Sequence, residues 1–224
     1  MNKYNHGQNY MKAYDHPGWM HYFKGNGLVF HNIPKNASST TSTMFQLNHR
    51  QHSYENVENT LCGLNFTILR EPMDRLVSTY LHYEEGKGGS PTVKKQSYWT
   101  IVDKKLRVAQ FINNLIVDLW DVHLSPQLFF VVNRKYVQYP IDYIIDFRNV
   151  GGGLTYLAEL CDLEVDEVPK INTCQSDERD EIREIMEEFY PIIRWYYAED
   201  FYAYERLQKI KNTDSGWVST KILN

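Results

Sequence analysis

The stretch LVFHNIPKNASST, residues 28–40, decides what kind of site this chain carries. Its first residues form an apolar run typical of a buried strand, and a turn with one lysine and several small hydroxyl residues follows. A helix is predicted over residues 39–48, with Ser38 or Ser39 as its N-cap. Backbone N–H groups at such a turn favour an anion, and Lys35 adds a positive charge. The stretch therefore predicts a site for a phosphate or a sulfate ester.

This loop is not a nucleotide-binding loop of the GxxxxGK[ST] type, because Lys35 precedes the small residues and the loop has no glycine. Taken alone, it leaves an alternative open. The same residues could form a capped strand-to-helix turn with a solvated lysine and no ligand.

A second motif follows a second apolar strand, predicted over residues 64–69. Arg70 lies at the end of that strand, and Pro72 begins a helix predicted through residue 82. Ser78 lies about 130° from the centre of the apolar face of this helix, so packing does not explain it. An arginine and a serine placed in this way can bind one phosphate. The alternative is a surface salt bridge from Arg70 to Glu71 or Asp74.

Composition limits the classes of function. The 224 residues fit one domain with a sizeable core. The net charge of −4 argues against broad nucleic-acid binding, which needs a basic face, but it allows a small basic pocket. We therefore expect no nucleic-acid partner.

The ends and the cysteines of the chain give further expectations. The N-terminus is polar without an apolar signal region, and no stretch approaches the roughly 20 apolar residues that cross a bilayer. Three cysteines lack the spacing of a disulfide framework or a zinc site. Glycosylation triplets begin at Asn36 and Asn65, where modification would damage the anion loop or a core strand. We therefore expect a cytoplasmic protein without a membrane partner; its oligomeric state is not indicated.

Strands and helices alternate along the chain. Further strands are predicted over residues 128–132 and 143–145, and further helices over residues 106–120, 151–161, 177–189 and 192–207. This order predicts an α/β fold with a mostly parallel central sheet flanked by helices. We expect residues 1–25 to be an arm or lid, residues 26–210 a single domain, and residues 211–224 a tail.

Together, the two motifs resemble a known family. LVFHNIPKNASST is similar to the 5′-phosphosulfate loop, and FTILREPMDRLVSTY, residues 66–80, is similar to the 3′-phosphate motif, of sulfotransferases that use 3′-phosphoadenosine 5′-phosphosulfate (PAPS). The patterns HIPKTGGTS and LRDPxxRxxSxY place the resemblance nearest to the membrane-type carbohydrate sulfotransferases. Residues 142–149, 170–173 and 197–204 also resemble that family, so the resemblance covers residues 27–207. It implies a three-layer P-loop-like fold.

The resemblance also implies roles for individual residues. Lys35 would contact the 5′-phosphosulfate and stabilise charge on the leaving phosphate, while Arg70 and Ser78 would hold the 3′-phosphate. The 5′ end would be cradled by the loop and helix start, which comprise Asn36, Ala37, Ser38, Ser39 and Thr40. The chain departs from the family at two places: Asn32 stands where a histidine is frequent, and residues 36–38 replace Thr-Gly-Gly.

Sulfuryl transfer needs a base that accepts the proton of the attacking hydroxyl. His123 lies in DVHLSPQ, residues 121–127, which resembles a His-x-x-Pro-Gln segment of related enzymes. His123 is therefore the candidate base, and the alternative is a structural or surface histidine. Weaker candidates are His31, His49, His52, His82 and Glu71. A catalytic metal is not indicated.

These features predict transfer of a sulfuryl group from PAPS to a hydroxyl, on a carbohydrate by resemblance. Two alternatives stay open from sequence: a family member that binds nucleotide or glycan without catalysis, and a nucleotide-dependent kinase. A kinase would need Mg²⁺ and an acidic metal ligand after a strand.

Overall fold

A computed structural model describes residues 20–22, 27–45, 63–86, 96–116, 121–131, 141–164, 168, 176–210 and 217–219. His49, His52 and most of the predicted arm and tail lie outside these ranges. The structure does not test the division into arm, domain and tail, which stays a prediction.

One five-stranded sheet contains every strand of the described residues, in chain order. The strands are β1 (Met20–Tyr22), β2 (Leu28–His31), β3 (Leu64–Leu69), β4 (Tyr143–Asp146) and β5 (Trp217–Ser219). The central strands β2, β3 and β4 are parallel, with Phe30 opposite Phe66 and Leu69 opposite Asp146. The edge strands β1 and β5 pair antiparallel. The α/β prediction is confirmed, and the sheet is consistent with the P-loop-like fold that the resemblance implies.

In the described residues, seven α-helices alternate with or follow these strands. They are α1 (Ser38–Met44), α2 (Pro72–Glu84), α3 (Lys104–Ile116), α4 (Val150–Leu160), α5 (Ser176–Glu187), α6 (Tyr190–Tyr196) and α7 (Ala198–Ile210). The helix predicted after Arg70 is confirmed, with Pro72 at its first turn. The single helix predicted over residues 192–207 is wrong, because α6 ends at Tyr196 and α7 begins at Ala198. At this break the Tyr197 side chain is buried, so packing outweighs helix propensity there.

The chain forms two compact units, which we call the sheet unit and the helical unit. The sheet unit comprises residues 16–70, 127–173 and 202–224, and the helical unit comprises residues 1–15, 71–126 and 174–201. Each has its own apolar core. The sheet-unit core includes Phe30, Phe66, Ile68, Ile145 and Leu154, and the helical-unit core includes Met73, Tyr80, Phe111, Ile112 and Ile182.

In the sheet unit, helix α4 approaches strand β4 closely at Gly153. A Cβ atom at that position would lie 2.5 Å from Cγ2 of Ile145, which is closer than real side chains allow. The close packing therefore requires glycine at position 153.

The strand predicted over residues 128–132 is wrong. The structure has a 3₁₀ helix at Gln127–Val131. Gln127, Phe130 and Val131 are buried whereas Leu128 and Phe129 are half-buried, which is not the alternation of a strand. A short apolar run does not distinguish these structures by pattern alone.

Candidate functional site

The two motifs meet at one edge of the sheet unit. Strands β2 and β3 are parallel neighbours, so the loop after His31 and the residue after Leu69 leave the sheet at the same edge. Nη1 of Arg70 donates a hydrogen bond of 2.8 Å to the main-chain oxygen of Lys35. The structure thus brings Arg70 and the Lys35 loop together within the sheet unit.

The Lys35 loop has a strained backbone for residues that are not glycine. Lys35 has φ 69° and Ala37 has φ 61°, both in the left-handed region. The N–H of Asn36 donates to Ile33 O at 3.1 Å, which closes the turn. Because Ala37 occupies a position where the family pattern has glycine, its φ gives the physical reason for that glycine.

The side chains that depart from the family pattern bond to other parts of the protein. Ser38 Oγ donates to Asn32 Oδ1. Nδ2 of Asn36 donates to Ile68 O at 2.7 Å and to Oε1 of Gln127 at 2.6 Å. Side-chain hydrogen bonds therefore hold a loop that lacks the usual glycines.

Helix α1 begins directly after this loop. Its N-cap is Ala37, which has no side-chain capping bond, so the prediction of Ser38 or Ser39 as the cap is wrong. Ser38 is instead the first helical residue. Its hydroxyl donates to Asn32, which precedes the helix, and does not cap the helix. Thr40 is buried and Ser39 is exposed.

Arg70 is held at both its main chain and its guanidinium. Gln127 pairs with the main chain, accepting from Arg70 N at 3.1 Å and donating to Arg70 O at 2.8 Å. The guanidinium carbon lies 4.1 Å from the centroid of the Phe147 ring, a cation–π contact. The sequence reasoning gave Gln127 and Phe147 no role, although the quoted segments DVHLSPQ and residues 142–149 contain them.

Ser78 lies in the helical unit, half-buried on α2. At the start of this helix, Glu71 Oε2 accepts from Asp74 N at 2.7 Å and acts as the N-cap. The carboxylates of Glu71 and Asp74, which the salt-bridge alternative assigned to Arg70, pair with Arg183 at 3.3 Å and 2.5 Å.

His123 also lies in the helical unit, and a carboxylate orients it. Oδ1 of Asp121 accepts from His123 N at 2.9 Å, lies 2.8 Å from Nδ1 of its ring, and accepts from the Tyr83 hydroxyl. An ionised carboxylate only accepts, so it assigns the proton to Nδ1 and leaves Nε2 with the lone pair. Burial alone would raise the pKa of Asp121, but the hydrogen bonds from His123 and Tyr83 outweigh it and lower the pKa to about 2.

The main chain around His123 is held by other side chains. Tyr197 donates to Leu124 O at 2.7 Å, and Nη1 of Arg75 donates to Ser125 O at 2.8 Å. Thr79 Oγ1 lies 3.3 Å from His123 O. The carbonyl groups of residues 123–125 thus each face a hydrogen-bond donor. The backbone of His123 is therefore more restrained than that of an ordinary surface residue.

The other described histidines differ from His123. His31 is fully buried in the sheet unit, and its Nε2 lies 2.9 Å from Oδ1 of Asn65. Burial lowers the pKa of His31 to about 4, against smaller raising effects from Asn65 and Asp142. His82 lies beside His123, with ring centroids 5.4 Å apart. His31 therefore belongs to the core.

In the described part of the chain, no helix combines the length and apolar character needed to cross a membrane. Comparisons with curated proteins and with solved structures found no significant match. A family model described as Sulfotransferase family matches residues 20–112. The matched segment contains the Lys35 loop, Arg70 and Ser78 and ends before His123. The match shows that residues 20–112, which carry both anion motifs, are similar to the sulfotransferase family.

Proposed function

We propose that the protein transfers a sulfuryl group from PAPS to a hydroxyl group of a carbohydrate. The observation that carries the proposal is the hydrogen bond from Arg70 to the Lys35 loop at one sheet edge. This bond joins the main chain of Lys35 and the guanidinium of Arg70, which come from separate motifs. The resemblance to carbohydrate sulfotransferases supports the donor and the acceptor class.

On the donor side, we assign Lys35 to the 5′-phosphosulfate and Arg70 and Ser78 to the 3′-phosphate. The contact with the Phe147 ring restricts the orientation of the Arg70 guanidinium. The N–H groups lie in the plane of the guanidinium, where they suit bidentate phosphate binding. Backbone N–H groups of Ala37, Ser38, Ser39 and Thr40 would contact the 5′ end. Asn36, whose N–H and side chain bond within the protein, would shape the loop.

On the acceptor side, we assign His123 as the general base. The acceptor oxygen attacks sulfur and its proton passes to Nε2 of His123, while the bond from sulfur to the 5′-phosphate oxygen breaks. The electron pair leaves with 3′,5′-adenosine bisphosphate, and Lys35 stabilises the charge that develops there. Positioning and charge stabilisation then supply most of the rate.

The donor assignment is tested by thermal unfolding with 3′,5′-adenosine bisphosphate. Saturating bisphosphate should raise the melting temperature, and Arg70→Ala should abolish the rise. Arg206→Ala, which removes an exposed arginine from the same unit, is the matched control and should retain it. The absence of a shift in the wild type, or a larger shift with ATP and Mg²⁺, would contradict the proposal.

The acceptor is found by incubating the PAPS-loaded protein with a glycan panel and measuring a sulfate-sized gain in mass. Gain on a glycan supports the proposed acceptor class. Bisphosphate binding without transfer to any hydroxyl acceptor would identify a family member that binds without catalysis.

A further inference from the structure

We infer that Gln127 is a positioning residue of the donor site, which sets the separation between the Lys35 loop and Arg70. The inference rests on the proposed function and extends it to the basis of ligand selection. Gln127 lies outside the segment matched by the family model.

Gln127 forms one hydrogen-bonded unit with both motifs. Its side chain is buried, with 1% of the residue exposed. Oε1 accepts from Arg70 N at 3.1 Å and from Nδ2 of Asn36 at 2.6 Å, and Nε2 donates to Arg70 O at 2.8 Å. The main chain of Arg70 fixes which end of the amide faces which partner, since its N–H needs an acceptor and its carbonyl a donor.

The two bonds to Arg70 have a structural explanation, but the bond to Asn36 goes beyond it. Arg70 follows the last residue of β3. Gln127 provides hydrogen bonds to the buried main-chain N–H and carbonyl of Arg70 at this point. That requirement is met without Asn36. The third bond therefore serves to join the loop to Arg70.

The orientation of Asn36 shows that this connection costs stability. Its Nδ2 faces two acceptors, Ile68 O and Gln127 Oε1. Its Oδ1 is buried without a hydrogen-bond partner among the described residues. A buried acceptor without a partner destabilises the folded state. A cost of this kind is typical of a site that function maintains.

The consequence is a fixed distance between two anion-binding elements. Lys35 O bonds to the Arg70 guanidinium, and the next residue, Asn36, bonds through Gln127 to the Arg70 main chain. The loop takes the 5′ group and Arg70 the 3′ group of one donor. A fixed separation favours nucleoside 3′,5′-bisphosphates over 5′-monophosphates, because both ends bind without rearrangement.

The test compares the affinities for 3′,5′-adenosine bisphosphate and adenosine 5′-monophosphate by calorimetry. In Gln127→Leu, the ratio of the two affinities should fall at least about tenfold, through weaker bisphosphate binding. The control is Thr67→Val, which removes the buried 2.9 Å bond from Thr67 to His31 O in the same sheet. Thr67→Val should lower the stability of the protein but leave the ratio of the two affinities at the wild-type value.

A second variant covers the case in which Gln127→Leu does not fold. Gln127→Glu keeps acceptors for Arg70 N and Asn36 but places an oxygen against Arg70 O, so its ratio should lie between those of the wild type and Arg70→Ala. An unchanged ratio in a folded variant, or an equal loss for both ligands, would overturn the inference alone. A wild type without preference for the bisphosphate would overturn the proposed function, and the inference with it.

Discussion

The Lys35–Arg70 edge of the sheet unit and the His123 loop of the helical unit are both held at their main chain, but by different chemical groups. At the sheet edge, the amide side chain of Gln127 bonds to Arg70 and to Asn36, the neighbour of Lys35. In the His123 loop, one carboxylate orients a histidine while hydroxyl and guanidinium groups bind the neighbouring carbonyls. The family model covers only the first region, yet both are tied at their main chain. Restraint of this kind is typical of functional sites, and it supports the proposed role of each region independently of the family match.

The largest expected effect separates catalysis from donor binding. In His123→Asn, the rate of transfer should fall by about 10²–10⁴-fold, because the base is lost. The melting-temperature rise with bisphosphate should persist, since the donor residues are intact. Sulfate transfer to the acceptor found in the screen and thermal unfolding measure the two effects. His82→Asn is the matched control, and equal losses in both variants would remove His123 from its role.

The second effect concerns the sheet unit in acid. The unfolded chain protonates His31 near pH 6.5, whereas burial lowers the pKa in the folded state to about 4. The contribution of His31 to the free energy of unfolding is therefore complete above pH 6.5. It falls by about 3 kcal/mol as the pH decreases to 4 and is constant below that pH. The free energy of unfolding in urea, measured across this range, should lose that slope in His31→Gln. An identical slope in the variant would refute the assignment.

The third effect concerns the His123 loop at lower pH. The pKa of Asp121 is about 2 in the folded state and near 3.8 in the unfolded chain. Its stabilising contribution is therefore present above about pH 4 and is lost, by about 2 kcal/mol, as the pH falls to 2. Tyr83→Phe removes one donor to this carboxylate, so a carboxyl NMR titration should show a higher pKa. Tyr98→Phe, at another buried tyrosine of the helical unit, should leave it unchanged.

The smallest effect tests the backbone of the Lys35 loop. Ala37→Gly should increase the free energy of unfolding by about 0.5–1 kcal/mol, because left-handed strain exceeds the entropy that glycine adds to the unfolded chain. Ala203→Gly inside helix α7 should decrease it by about 1 kcal/mol. Chemical denaturation measures both. A loss at both positions would show that φ at Ala37 is not a source of strain.

Sequence reasoning predicted the parts of this protein whose determinants are local. The strands around residues 28–31 and 64–69 are continuous apolar runs, and the helix after Arg70 has proline and an apolar face. Both motifs therefore had predictable positions at the ends of parallel strands. The candidate site residues were therefore predictable from the sequence, but their hydrogen-bond partners were not.

The missed features depend on partners distant in sequence. Gln127 bonds to residues 57 and 91 positions earlier, and no local pattern marks such a pairing. The 3₁₀ helix at Gln127–Val131 differs from the predicted strand because a short apolar run is compatible with both structures. The pairing of Asn32 with Ser38, six positions apart, is local in sequence but forms only when the loop closes.

The bond between Asn32 and Ser38 has a consequence for how tightly the loop can bind. A glycine-rich loop samples many conformations when empty and loses that freedom each time an anion arrives. Here side-chain bonds already restrict the backbone, so little conformational entropy is left to lose on binding. The loop is therefore preorganised and less adaptable than a glycine-rich loop. It should bind an anion of one shape with a small entropic penalty and bind anions of other shapes poorly.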